Sequence, residues 1–178
     1  MTIVTSGKVW AGATALMVIP VIVLRAVNGE AWDLPGEAIF LAGLVSGVGI
    51  AFEVAKRIPD RLAYASGIGL AIWAALLQMW INLAVGIVGS EDNPVNLIYL
   101  GVTVFALLAT IAARFRAEWM VSAMKATAVA QASTFVIALL AGGGFTGPIT
   151  VFFTALWLIA AWLFRRAVGS SATTAVPV

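Results

Sequence analysis

Long apolar segments, each separated from the next by a short polar stretch, run through the sequence. Six of them have about the 20 predominantly apolar residues that an α-helix needs to cross a bilayer. They cover residues 9–27, 35–54, 62–88, 94–113, 119–141 and 148–164. The pattern predicts an all-α integral membrane bundle of about six transmembrane helices. Residues 1–168 form one domain in this prediction, and residues 169–178, which are small and polar, form a flexible tail.

The first apolar segment could also be the core of a secretory signal peptide, because Lys8 precedes it. However, Arg25 follows its apolar stretch directly, and no A-x-A-like cleavage site is present. We therefore predict a retained first helix, which bends near Pro20.

The charged residues between the apolar segments fall on two sides. Nine of the ten basic residues lie on the side of the amino terminus, and only Arg25 lies opposite: the nine are Lys8, Lys56, Arg57, Arg61, Arg114, Arg116, Lys125, Arg165 and Arg166. The acidic residues of the opposite side are Glu30, Asp33, Glu37, Glu91 and Asp92. Positive charge accumulates in cytoplasmic loops, so both termini are predicted to be cytoplasmic and the number of spans to be even.

Composition supports a lipid environment. Of the 178 residues, 62% are hydrophobic and only 10% are charged, whereas about a quarter of a soluble domain is charged. The lipid bilayer is therefore the first predicted partner. The net charge of +2 does not indicate nucleic acid, because the basic residues lie at the ends of apolar segments.

The sequence contains no cysteine and no histidine. This excludes disulfides, thiolate nucleophiles and the histidine ligands that hold haem and many metals. No nucleophile–base pair, phosphate-binding loop or metal-ligand spacing replaces them. We expect neither a cofactor nor enzymatic activity.

Small residues recur at intervals of four in three of the predicted helices. They are Gly43 and Gly47 in the second, Gly67, Ala71 and Ala75 in the third, and Ser122, Ala126, Ala130 and Thr134 in the fifth. Helices associate in membranes through close packing at such residues, so these three helices are predicted to form a compact inner trio.

Aromatic residues near the ends of the apolar segments indicate an aromatic belt. Trp10, Tyr64, Trp119 and Trp162 lie towards the cytoplasmic boundary, and Trp32 and Tyr99 towards the outer one. Trp73 and Trp80 share one face of the third predicted helix, where they pack on protein or contact lipid.

A polar stretch between the third and fourth predicted helices has two interpretations. Asn93 is a favoured N-cap and Pro94 a favoured first helical residue, and the helix dipole favours the preceding carboxylates of Glu91 and Asp92. This predicts a structural turn, which we favour. The alternative is a metal site, in which Glu91 and Asp92, with the amide oxygens of Asn82 and Asn96, hold Ca²⁺ or Mg²⁺.

Polar side chains also lie inside the apolar segments. Gln78 and Asn82 are four residues apart in the third predicted helix, and Gln131 and Thr134 are possible partners in the fifth. Interhelical hydrogen bonds are the favoured role, worth about 1 kcal/mol each. The same residues could instead line a polar pathway.

Two charged residues lie within spans. Glu53 has Lys56 three residues on and Arg57 four residues on, the order that favours a helical ion pair near the interface. A proton relay through Glu53 would need a second buried carboxylate, which is not visible. Lys125 lies about two turns inside the fifth predicted helix, where its stem reaches water or its amine pairs with Glu53 or Asp60.

Two stretches, "AGLVSGVGIAFEVAKR" and "WINLAVGIVGSEDNPVNLIY", carry a family resemblance. The chain resembles an uncharacterised family of small multi-spanning bacterial inner-membrane proteins over roughly residues 32–131, most specifically in "GSEDNP" followed by "NLIY". The family brings no activity or functional residues with it. The resemblance implies a bacterial inner membrane and gives more weight to the turn at residues 90–93.

Two functional hypotheses follow. The favoured one is a non-catalytic accessory or interaction protein that packs against another membrane protein or against itself. The alternative is a small transporter or channel with a polar path along the third and fifth predicted helices. Its residues are Gln78, Asn82, Asn96, Gln131 and Thr134, with Glu91 and Asp92 at an outer mouth.

Overall fold

The structure is a computed structural model of the chain. It describes residues 34–142 and 146–174, together with six helical positions between residues 11 and 22. The predicted helix over residues 9–27 and its bend at Pro20 otherwise lie outside the described residues, as do Trp10, Trp32 and Arg25.

Five α-helices form the described part of the chain, which contains no strand. They are α1 (Leu34–Arg57), α2 (Asp60–Ala84), α3 (Leu97–Ala112), α4 (Ala117–Leu140) and α5 (Gly147–Thr174), and a short 3₁₀ helix, Pro94–Asn96, leads into α3. Each is long and apolar enough to cross a membrane, α3 together with its 3₁₀ turn. The described part of the chain is therefore all-helical, and its five apolar helices indicate a multi-pass membrane protein.

Two helix ends differ from the sequence prediction. Helix α2 ends at Ala84, before residue 88, because Gly86 adopts a left-handed φ of +77° and turns the chain. Helix α5 continues past residue 164 to Thr174, so residues 169–174 of the predicted tail are helical. The sequence prediction ends the last span just before Arg165 and Arg166, but a helix does not have to end where its apolar residues end.

Helix α5 packs against more helices than any other described helix does. It packs against α4, α2 and α1, while α3 packs against α2 and α4. Helices α2, α3, α4 and α5 thus close a ring, and α1 lies outside it against α5. Of the residues in the most apolar stretch of α5, 67% are buried inside the bundle, compared with 22–39% for the other four helices.

Small residues of α1 and α2 receive aromatic rings of α5. A Cβ added at Gly47 would lie 2.9 Å from the ring of Phe152, and one added at Gly67 would lie 3.1 Å from the ring of Phe164. The prediction of an inner trio was therefore wrong. The glycines accommodate bulky side chains of α5 rather than the backbone of another small-faced helix, and Ser122 and Ala126 of α4 are exposed.

The aromatic belt is also corrected at one position. Tyr99 is wholly buried, and its cluster contains Val88 and Ala138. It belongs to the core because it lies on the face of α3 that carries Val102 and Ala106 inward. Trp73 and Trp80, by contrast, are both exposed on α2.

One end of the bundle, which we call the basic end, joins the α1–α2 turn, the α3–α4 turn and the last part of α5. Arg166 donates to the Asp60 carboxylate and to the carbonyls of Ala55 (3.0 Å) and Ile58 (2.9 Å). Its guanidinium carbon lies 5.0 Å from the ring centroid of Trp162. A single side chain of α5 therefore satisfies the C-terminal carbonyls of α1 and fixes the turn to α2.

The same end is closed on its other side by Tyr64. Its hydroxyl donates to the carbonyl of Phe115 in the α3–α4 turn, and its ring packs edge-on against Phe164. The turn needs such support, because Arg114 and Phe115 have φ of +47° and +56°, which costs non-glycine residues about 1–2 kcal/mol each.

Candidate functional site

The opposite end, which we call the acidic end, contains the 85–93 loop, the end of α4 and Thr146 at the start of α5. Asn96 organises the loop. Its Oδ1 accepts from the backbone N–H of Ile87 (3.0 Å) and of Val88 (2.8 Å), and its Nδ2 donates to the carbonyls of Ser90 (2.7 Å) and Val88 (3.5 Å). One buried side chain thus pairs backbone N–H and C=O groups of the loop, which would be costly to leave unpaired in a membrane protein.

The loop also has the N-cap that the sequence predicts. Asn93 Oδ1 accepts from the N–H of Val95 at 3.0 Å, and Pro94 follows at the first helical position. Gly86 allows the tight closure, because a Cβ there would lie 2.5 Å from the carbonyl carbon of Ser90. A specific fold of the backbone, rather than polarity alone, therefore accounts for Asn93, Pro94 and Asn96.

Glu91 and Asp92 are exposed at this end. Asn96 Oδ1, a ligand in the metal hypothesis, already accepts two N–H groups. Within residues 34–142 and 146–174, no group of three or more acidic, histidine or cysteine side chains is placed to hold a metal ion. In the structure, Asn96 bonds to the backbone of the loop, and the carboxylates of Glu91 and Asp92 lie at the surface.

The intramembrane polar residues lie inside the ring. Gln78 and Gln131 are wholly buried, Thr134 is 2% exposed and Asn82 is 5% exposed. Gln78 Nε2 donates to the carbonyl of Tyr99 at 2.8 Å and so joins α2 to α3. Thr134 donates to the carbonyl of Gln131 within α4. The amide of Gln131 has no hydrogen-bond partner, so it does not bond to Gln78 or Asn82.

Helix α5 contributes a row of polar groups that the sequence interpretation missed. Thr146 precedes it, and Thr150, Thr154 and Trp157 follow at intervals of four, four and three residues, so all four lie on one helical face. The signal was the spacing T-x₃-T-x₃-T-x₂-W in an otherwise apolar segment. Threonine is common in membrane helices, and nothing in the sequence alone places α5 at the centre.

Together these side chains form what we call the polar cluster: Gln78, Asn82, Tyr99, Gln131, Thr146, Thr150, Thr154 and Trp157. Nine of its buried polar atoms have no hydrogen-bond partner: Gln78 Oε1, Asn82 Oδ1, Tyr99 Oη, Gln131 Oε1 and Nε2, Thr146 Oγ1, Thr150 Oγ1, Thr154 Oγ1 and Trp157 Nε1. Native proteins leave few buried polar groups unpaired, and each costs about 1–3 kcal/mol. The described residues therefore leave these nine atoms available for hydrogen bonds.

The polar cluster occupies only the half of the ring next to the acidic end. Gln131 lies nine residues from the end of α4 and Trp157 ten residues from the start of α5, which at 1.5 Å per residue is about 15 Å. Beyond them, the one buried polar residue in the described part of the ring is Thr127, whose hydroxyl donates to the carbonyl of Ala123. The other buried residues there are apolar and include Ala63, Gly67, Ala74, Ala106, Ala113, Met120, Met124, Ala160 and Phe164. The polar atoms without partners therefore lie in the half of the ring that is nearer the acidic end.

The charged residues singled out in the sequence lie away from the polar cluster. Glu53 pairs with Lys56 at 2.7 Å near the basic end, and Asp60 pairs with Arg166. Lys125 is exposed on α4 and forms no ion pair with a described residue. None of the charged side chains whose burial the structure describes is buried.

Comparison with known proteins gives no match: no protein-family model, no curated protein and no solved structure matches the chain. The geometry of the polar cluster is the basis for a functional assignment.

Proposed function

We propose that this protein is a small transporter of the bacterial inner membrane, which takes up a small polar solute in the polar cluster and passes it across the bilayer. The observation that carries the proposal is the set of nine buried polar atoms without hydrogen-bond partners. A solute that bonds to them recovers interactions that the folded chain leaves unmade. Neither a cofactor nor a catalytic step is part of the proposal.

The topology belongs to the proposal too. Six spans with both termini in the cytoplasm place the basic end inside and the acidic end outside, in keeping with the positive-inside rule. In reporter fusions, a reporter inserted after residue 92 and one fused to the carboxyl end should report opposite compartments. The same compartment for both would contradict this topology.

The one-sided position of the polar cluster favours a carrier over an open channel. A channel needs a continuous polar path, whereas the described core beyond Trp157 is apolar apart from Thr127, whose hydroxyl is already bonded to the carbonyl of Ala123. Transfer therefore requires the apolar half of the ring to separate, as in alternating access.

A flux assay with the purified protein in liposomes tests the proposal. Gln131→Met and Asn82→Leu, which remove amides of the polar cluster at similar volume, should each lower the flux of the transported solute about tenfold. Thr127→Val is the control and should leave the flux unchanged, because the Thr127 hydroxyl donates to the carbonyl of Ala123 and is not part of the polar cluster. Flux that neither cluster substitution lowers, or no flux for any solute, would refute the transporter proposal.

One observation supports the accessory or interaction protein as a second candidate. The exposed face of α4 carries Ser122, Lys125, Ala126 and Ser133, although a lysine facing lipid is costly and small residues favour contact between helices. Another membrane protein or a second copy would cover this face. Ala126→Leu should then dissociate a complex that is seen by native electrophoresis in mild detergent, while Val104→Leu, at an exposed position of α3 outside this face, serves as a control for added bulk.

A further inference from the structure

The charge of the polar cluster restricts the solute, if the proposed transport function holds. Every member of the polar cluster is neutral, and no charged side chain whose burial is described is buried. A charged solute held there would have no counter-charge, and an unpaired buried ion is strongly disfavoured.

The helix ends around the polar cluster do not supply a field of one sign. Helices α2 and α4 finish at the acidic end, whereas α3 and α5 start there. Two negative and two positive dipole ends therefore surround the site. An anion site uses converging helix N-termini. Here the two N-termini are matched by two C-termini, so their electrostatic effects on a charged solute largely cancel.

The free atoms define what the solute offers. Three are amide oxygens, of Gln78, Asn82 and Gln131, which only accept. The hydroxyls of Tyr99 and of the three threonines both donate and accept, and the amide nitrogen of Gln131 and the indole nitrogen of Trp157 donate. A cation would use only the acceptors and an anion only the donors, whereas a molecule with several hydroxyl groups uses both.

The spacing along α5 fits such a molecule. Thr150 and Thr154 are one helical turn apart, about 6 Å along the axis, and the indole N–H of Trp157 lies on the same face nearly one turn further in. On the opposite wall, Gln78 and Asn82 are also one turn apart on α2, and α2 packs against α5. A chain of vicinal hydroxyls can therefore bond to both walls.

We propose that the polar cluster binds a small uncharged polyol. The solute enters from the acidic end, its hydroxyls bond to the amides of Gln78, Asn82 and Gln131 and to the hydroxyls of α5, and Trp157 marks the inner limit of its site. The inference rests on the proposed transport function and specifies the substrate class of the same site.

Glycerol is the probe, and proteoliposomes of the full-length chain are the system. A hyperosmotic shock with external glycerol first shrinks the vesicles. Light scattering then follows their reswelling as glycerol enters. Choline and acetate, charged solutes of comparable size, are measured in parallel by entry of the radiolabelled compounds. The protein should accelerate entry of glycerol over that into empty liposomes and leave entry of choline and acetate at the empty-liposome rate.

The variants remove hydrogen-bonding atoms without changing shape. Thr150→Val and Gln131→Met should each lower the protein-dependent glycerol rate about tenfold, the effect of losing roughly one hydrogen bond. Thr127→Val is the matched control. Thr127 is equally buried, but its hydroxyl donates to the carbonyl of Ala123 at 2.9 Å and is not part of the polar cluster. The glycerol rate of this variant should equal that of the unchanged protein. Thermal unfolding in detergent verifies that each variant is folded.

The outcomes separate the two proposals. Entry of choline or acetate that depends on Thr150 and Gln131, without entry of glycerol, overturns the polyol inference and leaves the transporter proposal standing. Equal glycerol rates for Thr150→Val and Thr127→Val also overturn the polyol inference. No protein-dependent entry of any solute overturns the transporter proposal as well.

Discussion

Polar side chains have hydrogen-bond partners at the basic end and lack them in the polar cluster. At the basic end, Arg166 bonds to a carboxylate and two carbonyls, and Tyr64 bonds to a carbonyl of the α3–α4 turn. In the polar cluster, Gln131 is more deeply buried than either, yet both of its amide atoms are unpaired. The first arrangement holds helices together, whereas the second lowers stability.

This difference separates structural polar groups from groups that are available to a ligand. A polar group that is satisfied within the chain contributes to the fold, and its removal leaves buried partners unpaired. A group that is unsatisfied costs free energy until something else bonds to it, which is the usual compromise between stability and function at binding sites. Four substitutions test the comparison, and in each the readout is thermal unfolding in detergent micelles.

The largest effect is expected at the acidic end, in the loop that Asn96 organises. Gly86→Ala should destabilise the protein by about 3 kcal/mol, because the left-handed φ costs about 1–2 kcal/mol and the new Cβ would meet the backbone of Ser90. Gly101→Ala, in α3 with open space around it, is the control and should be neutral or stabilising, since alanine favours a helix over glycine. Equal unfolding temperatures for the two variants would contradict the described loop.

Arg166→Met should destabilise by about 2 kcal/mol, because the carbonyls of Ala55 and Ile58 lose a charged donor. The ion pair with Asp60 adds little, since that carboxylate is 58% exposed. The neighbouring Arg165 is exposed, so Arg165→Met is the control and should change stability by less than about 0.5 kcal/mol. A loss as large for Arg165→Met would mean that charge, rather than the specific bonds, supports the basic end.

A pair of tyrosines isolates a single hydroxyl. Tyr64→Phe keeps the ring against Phe164 but removes a bond to Phe115, so it should destabilise by about 1 kcal/mol. Tyr99→Phe removes a buried hydroxyl without a partner and should be neutral or stabilising. If both variants lose the same stability, the Tyr99 hydroxyl is satisfied and the comparison fails at that position.

The smallest change, and one of opposite sign, is expected in the polar cluster. Gln131→Met replaces an unpaired amide with an apolar group of similar shape, so the stability should stay within about 0.5 kcal/mol or increase. Thr127→Val, which leaves the carbonyl of Ala123 without its side-chain donor, is the comparison and should not stabilise. A loss above about 1 kcal/mol for Gln131→Met would show that its amide is already bonded.

Much of the described fold could be predicted from local pattern. Apolar length gave the five described helices, and Asn93–Pro94 indicated the start of the next helix because capping depends on adjacent residues. Polar residues inside apolar segments pointed to Gln78, Asn82 and Gln131. The six-helix count, the orientation of the termini and the family resemblance stay predictions.

The remainder depends on which helices become neighbours. In lipid, a helix that faces the bilayer and a helix that is buried are both apolar, so the sequence of α5 does not reveal its central position. The burial of its threonines and of Trp157 follows only from that position, so it could not be predicted from the sequence. Tyr99 was assigned to the belt for the same reason, because an aromatic residue near the end of a span can point either outward or inward.

The central place of α5 also fixes an order of events in biosynthesis. A ribosome makes α5 after α1, α2, α3 and α4, yet α5 carries the rings that occupy the surfaces of Gly47 and Gly67 and the arginine that secures the α1–α2 turn. Among the described helices, α1 packs substantially on α5 alone. The earlier helices therefore enter the membrane without their main packing partner, and native assembly awaits the translation of α5.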